Sequence, residues 1–124
     1  MCIRDRKSVG LLQKNPELFG VNLRITDWDG QNDQSAVRDL SYRKGFYTSQ
    51  WRLEKTEEVR YTLYPGGGSG VFRRSMFVEL GGFDRLYFPA YAEDMDLGWR
   101  AWQRGWPSVF LPDSCIRHKE GGTL

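Results

Sequence analysis

The 124-residue sequence is poor in the side chains that most often carry chemistry, with one histidine and two cysteines. Cys2 and Cys115 close at most one bridge and show no metal-ligand spacing, which excludes a disulfide-stapled module and a cysteine-framed metal site. No run of about 18 apolar residues occurs and the amino end has no apolar signal core, so no segment reads as a membrane-spanning helix or an export address. Charge of one sign is missing as well. The 18 basic and 16 acidic side chains leave a net charge of +2, without the field that would point to nucleic acid or an anionic membrane surface. A cytoplasmic setting is expected, with any association with the membrane's cytoplasmic face left to segments outside this chain. The length fits one domain. What the chain does hold is aromatic: five Trp, six Tyr and seven Phe, side chains that build cores and also stack on flat ligand faces.

The first six residues, MCIRDR, differ in character from the rest of the chain and resemble translated sequencing-adapter read-through, so they read as a processing scar, with the true amino terminus missing. Residues 15–124 read as the domain. Glu17 to Ile25 alternate in polarity after Pro16 and predict a strand, and TDWDG predicts a turn through its Asp-Gly pair. Asp27 and Asp29 in that turn have the form of an Asp-x-Asp metal pair, but Asp-Gly is an ordinary turn signal and the turn is preferred. Gln31 to Arg60 shows no clean period and reads as a long excursion with some helix. Val59 to Pro65 predicts a short strand leading into Gly66–Gly70, a loop without side chains that lets a ligand approach the backbone closely. It lacks the Gly-Lys-Ser/Thr of a phosphate loop, and Arg73 and Arg74 behind it fit either phosphate or solvent. Ser75 is the expected cap of a helix Met76 to Leu80 ended by Gly81. A second helix, Glu93 to Arg104, stops at Gly105, and Pro107 to Pro112 predicts a strand. Strands and helices in this order favour an α/β arrangement.

The second helix opens on three acids and then turns aromatic: YAEDMDLGWRAWQRGW. Residues three, four and seven apart share a helix face, so Asp94 lies with Leu97, Gly98 and Ala101, at the open end of an apolar face made for close packing. Glu93 shares a face with Asp96 and Arg100, whose spacing suits an ion pair. Met95, Trp99 and Trp102 form a third stripe. Acids in a first turn are also stabilised by the helix dipole, by about 0.3–1 kcal/mol each, so spacing by itself leaves a structural and a functional role open. His118, just beyond the last strand, needs oxygen ligands from elsewhere to complete a metal site.

In order, GGGSGVFRRSMFVELGGFD, YAEDMDLGWRAWQRGW and VFLPDSCIRH resemble the carboxyl half of the family-2 glycosyltransferase domain of GT-A fold, closest to rhamnosyltransferase-like and galactofuranosyltransferase-like members. The resemblance is strong over Gly66 to His118 and weak over Asn15 to Gly30. It implies a partial GT-A (nucleotide-diphospho-sugar transferase) fold, truncated at the amino end, from an inverting enzyme that moves a sugar from a nucleotide-diphosphate donor to a glycan or lipid-linked acceptor. It implies that Asp94 is the base that deprotonates the acceptor hydroxyl, that Glu93 assists acceptor binding, that Gly67, Gly68 and Ser69 line the sugar and acceptor cleft, and that His118 is a ligand of Mg²⁺ or Mn²⁺. One carboxylate suffices for such a displacement, and the metal assists departure of the diphosphate. The family's nucleotide-binding half has no counterpart before Asn15, so the chain alone is expected to be inactive. The alternative is a non-catalytic carbohydrate-binding module, motivated by the aromatic content.

Overall fold

The structure is a computed structural model and describes residues 5–34, 37–52, 56–89 and 91–119. Its elements are α1 (Asp5–Lys14), β1 (Gly20–Thr26), β2 (Val37–Arg43), β3 (Phe46–Arg52), β4 (Arg60–Thr62), β5 (Gly70–Phe72), α2 (Arg74–Glu79), a 3₁₀ turn (Arg85–Tyr87), α3 (Glu93–Gln103) and β6 (Ser108–Arg117). Four strands form a mixed sheet in the order β4-β6-β1-β5. β1 and β6 run parallel from Gly20 beside Ser108 to Thr26 beside Arg117, and the outer pairs are antiparallel. A parallel pair needs a crossover, which the intervening helices supply.

Alternation along β1 and β6 gives the sheet two apolar faces. Val21, Leu23, Val109 and Leu111 turn to one side and bury Leu12 and Leu18, which close the layer formed by α1. On the other side Phe19 packs with Leu97 and Ala101 of α3, joined by Phe72, Met76, Phe77, Leu80 and Trp106. The face read for Asp94 is therefore the packed face of α3, since Leu97, Gly98 and Ala101 are its buried residues. Gly98 lets the helix lie directly on the segment after β4: a Cβ there would stand 2.3 Å from Tyr64 Cβ and 2.7 Å from the Leu63 carbonyl oxygen.

The observed elements depart from the sequence reading in the middle stretch, at α2 and at β6, which runs on past Pro112 to Arg117. Much of the stretch read as an excursion with some helix, Gln31 to Arg60, is a β-hairpin, with β2 and β3 paired from Val37 beside Arg52 to Arg43 beside Phe46. Its tip, Lys44-Gly45, has φ of 50° and 87°, the left-handed pair that matches the twist of a tight hairpin. Helix α2 begins two residues earlier than expected, with Arg73 rather than Ser75 at its cap and no side-chain cap bond. The Gly81 stop holds, with φ of 82° and its N–H donated to the Val78 carbonyl. Met1 to Arg4 of the supposed scar lie outside the described residues, while Asp5 and Arg6 form the start of α1.

Candidate functional site

The site is assembled where the glycine loop meets the first turn of α3. Asn22, in the middle of β1 and 1% exposed, fixes the loop through its side-chain oxygen, which accepts from the Gly66 N–H at 3.0 Å and from the Ser69 hydroxyl at 2.9 Å. Ser69 is thereby committed to holding the loop and is itself buried. With Gly66 and Ser69 pinned, Gly67 donates its N–H to Asp94 Oδ2 at 3.1 Å. The other carboxylate oxygen of Asp94 accepts from the Met95 N–H at 2.8 Å. Two backbone amides thus orient one half-exposed carboxylate, and each oxygen retains a lone pair for a further donor.

Glu93 flanks the same loop. A Cβ on Gly67 would lie 4.0 Å from Glu93 Oε1, whereas nothing stands within 4 Å of the corresponding position on Gly68. Glu93 Oε2 is buried without a hydrogen-bond partner among the described residues, which leaves an acceptor available beside Asp94. Asp96 is spent otherwise: it pairs with Arg100 at 2.8 Å, and Arg100 also donates to the carbonyls of Leu80 and Gly82. Arg73, left open between phosphate and solvent by the sequence, donates to the carbonyls of Leu18, Leu12 and Asn15 and ties α1 to the start of α2.

Next to this cluster a cavity of about 390 Å³ is lined by Arg38, Leu40, Tyr61, Leu63, Trp99 and Trp102. The hairpin reaches α3 through Tyr47, whose ring lies 5.3 Å from that of Trp99. A larger cavity, about 590 Å³, lies between α1, the hairpin base and β4, and neither cavity is lined by Asp94 or Glu93.

His118 stands farther along the sheet. Its N–H donates to the Thr26 carbonyl, four residues beyond Asn22 on β1, or roughly 13 Å at the rise of a strand. No three His, Cys, Asp or Glu side chains gather at a metal-binding distance among the described residues. The nearby Asp27 is a turn residue, its carboxylate accepting from the Gln31 N–H and the Asn32 amide. Those bonds, led by that of the Asn32 side chain, hold its pKa below the ordinary Asp value. Two contributors to the cluster, Asn22 and Arg38, carry no local sequence signal; a lone Asn inside an apolar strand is the nearest thing to one.

The solved structure of GalNAc-T7 with UDP, GalNAc and Mn²⁺ superposes with a TM-score of 0.63 over 90% of this chain and 24% of that one, at 17% identity. The fold is that of a partial GT-A glycosyltransferase domain. In sequence, the N-acetylglucosaminyl-diphospho-decaprenol L-rhamnosyltransferase of Mycobacterium tuberculosis, found in two strains, is 40% identical over 73 residues, which are 58% of this chain and 24% of that protein. The chain spans about a quarter of the length of the curated relatives it matches. No family model matches it.

Proposed function

We propose that this chain is the acceptor-side part of an inverting glycosyltransferase that moves a sugar from a nucleotide-diphosphate donor to a lipid-linked acceptor. The observation that carries the proposal is the Asp94 carboxylate, held by Gly67 N–H at the open end of the packed face of α3. In the reaction the acceptor oxygen bonds to the anomeric carbon as its proton passes to Asp94, and the bond from that carbon to the diphosphate breaks on the opposite face. The backbone amides on Asp94 aim its remaining lone pairs at the acceptor side of the loop. Glu93 accepts a hydrogen bond from a neighbouring hydroxyl of the acceptor sugar, and Gly67 and Gly68, having no side chains, let that sugar rest on the backbone. Ser69 acts through the loop it anchors.

The lipid-linked acceptor is drawn from the rhamnosyltransferase relative, whose name specifies a sugar diphosphate on decaprenol. The metal is drawn from the Mn²⁺ of the structural relative; His118 would furnish one ligand to Mg²⁺ or Mn²⁺ and the rest of the set would come from residues beyond those described. Such an ion supplies Lewis-acid help to the departing diphosphate. The location that fits such an acceptor is the cytoplasmic face of the membrane, although no helix among the described residues is long and apolar enough to cross it.

The test is sugar transfer from a panel of nucleotide-sugars by the protein restored to full length from its source DNA, comparing Asp94 with Asp94→Asn, and the 124-residue chain in parallel. Loss of a positioned base typically costs about 10²–10⁴-fold. The expected result is a loss of that size in kcat with nucleotide binding kept, and no transfer by the 124-residue chain. Equal transfer by both full-length forms removes Asp94 from the chemistry. The exposed Tyr42, Tyr47 and Trp51 of the hairpin favour a second reading, a carbohydrate-binding module, and that reading wins if glycans bind with no transfer in any form.

A further inference from the structure

Arg38 is the side chain that the proposed transfer reaction leaves unexplained. It lies on β2 with 7% of its surface exposed, and its Nε and Nη1 are buried with no hydrogen-bond partner among the described residues. The adjacent carboxylate, Asp39, is taken by Arg52. A guanidinium removed from water without a counter-charge is costly unless something repays it. Stacking repays part: the guanidinium carbon sits 5.0 Å from the Trp51 ring centre and 4.7 Å from that of Tyr64. Both rings lie within stacking reach of the planar group, whose N–H donors project from its edge.

The edge is near the glycine loop. A Cβ on Gly66 would lie 3.1 Å from Arg38 Nη2, and the next residue, Gly67, is the one bonded to Asp94. Cα atoms of consecutive residues are about 3.8 Å apart, so a free guanidinium edge and the reactive carboxylate border neighbouring positions of one loop. Arg38 also lines a cavity together with Asp39, whose carboxylate Arg52 pairs, and with Leu40, Tyr61, Thr62, Leu63, Trp99 and Trp102. A ligand that suits this arrangement carries two or more acceptor oxygens in a plane, as a phosphate does, with an apolar continuation for the aromatic wall.

We infer that Arg38 binds the diphosphate of the lipid-linked acceptor, placing the acceptor sugar over Gly67 and the isoprenoid along Trp99 and Trp102. The inference rests on the transferase reading for the identity of the ligand, and it makes Arg38 a determinant of acceptor choice. A diphosphate is also present in the donor, and the two sources are separated by the probes.

The experiment is calorimetric titration of the 124-residue chain and its Arg38→Gln variant with farnesyl diphosphate, farnesol and UDP, together with an NMR titration of the Arg38 Nε–H resonance in the unsubstituted chain. The expected result is that farnesyl diphosphate binds and shifts that resonance, and that Arg38→Gln weakens it about 10- to 100-fold, the size of one charge-assisted hydrogen bond or slightly more. Farnesol and UDP should be indifferent to the substitution. Equal affinity in both forms, no binding of farnesyl diphosphate, or a resonance it leaves unmoved each overturns the inference and leaves Arg38 as a stacked structural side chain. Dependence of UDP alone on Arg38 overturns it in favour of the donor. If Arg38→Gln does not fold, the resonance decides. Binding through Arg38 combined with no transfer by the full-length protein would remove the transferase reading and keep the diphosphate site; full-length transfer that needs Asp94 with no diphosphate binding at Arg38 would do the reverse.

Discussion

Replacing Gly98 by alanine should destabilise the protein even though it improves the helix. The added Cβ would stand 2.3 Å from Tyr64 Cβ, 2.7 Å from the Leu63 carbonyl oxygen and 2.9 Å from Tyr64 Cα. Carbon atoms rest about 3.5–4.0 Å apart, so the shortfall is a little over 1 Å, and it is met by main chain rather than by the tip of a flexible side chain. Helix α3 must back away. Overpacking of this kind costs about 1–3 kcal/mol, and a collision with backbone belongs at the upper end. Alanine returns about 1 kcal/mol of helix propensity, leaving a net loss near 2 kcal/mol. Withdrawal by 1 Å also carries the 3.1 Å bond between Gly67 and Asp94 beyond hydrogen-bonding reach. Gly10 in α1 is the control, since nothing lies within 4 Å of its Cβ position. Gly10→Ala should gain up to about 1 kcal/mol. Urea unfolding followed by tryptophan fluorescence reads both variants. If Gly98→Ala unfolds at the same or a higher urea concentration than the parent, the close approach of α3 to the Leu63–Tyr64 segment is not what the geometry says.

Asn22→Ala strands two buried donors, the Gly66 N–H and the Ser69 hydroxyl, and should cost about 2–4 kcal/mol in urea unfolding; a loss under about 0.5 kcal/mol, the scale of a surface change, would show the loop is held by something else. Asp27 gives a pH dependence of known sign. Its folded pKa is lowered, first by the Asn32 side chain, so its contribution to stability is complete above the unfolded value of about 3.9 and is lost as pH falls through the lower folded value. Asn32→Ala should raise the Asp27 pKa in a carboxyl NMR titration, and an unmoved curve contradicts the assignment.

The location of Asp94 was legible because helical periodicity is a strong signal: Leu97, Gly98 and Ala101 had to share its face, and they are the buried ones. The turn at TDWDG was legible from its Asp-Gly pair. The hairpin was not, because all but one residue of β3 are exposed and a strand with solvent on both faces has no alternation to read. Its remaining clue was the Lys-Gly dipeptide at the tip, easily taken for an ordinary loop. Asn22 and Arg38 were invisible for another reason. Their roles depend on partners 44 residues away in the case of Gly66, and on rings from β3 and from the segment after β4 in the case of Arg38; nothing local marks either.

Arg100 has a consequence for how the site tolerates change. Through Asp96 it is anchored to the same first turn that carries Asp94, and through Leu80 and Gly82 it grips the chain just after α2. The helix that bears the carboxylate and the turn that ends α2 are thus one mechanical part. A substitution that moves the Gly81–Gly82 turn is therefore expected to be felt at Asp94 without touching it, while the loop at Gly67 stays tied to Asn22.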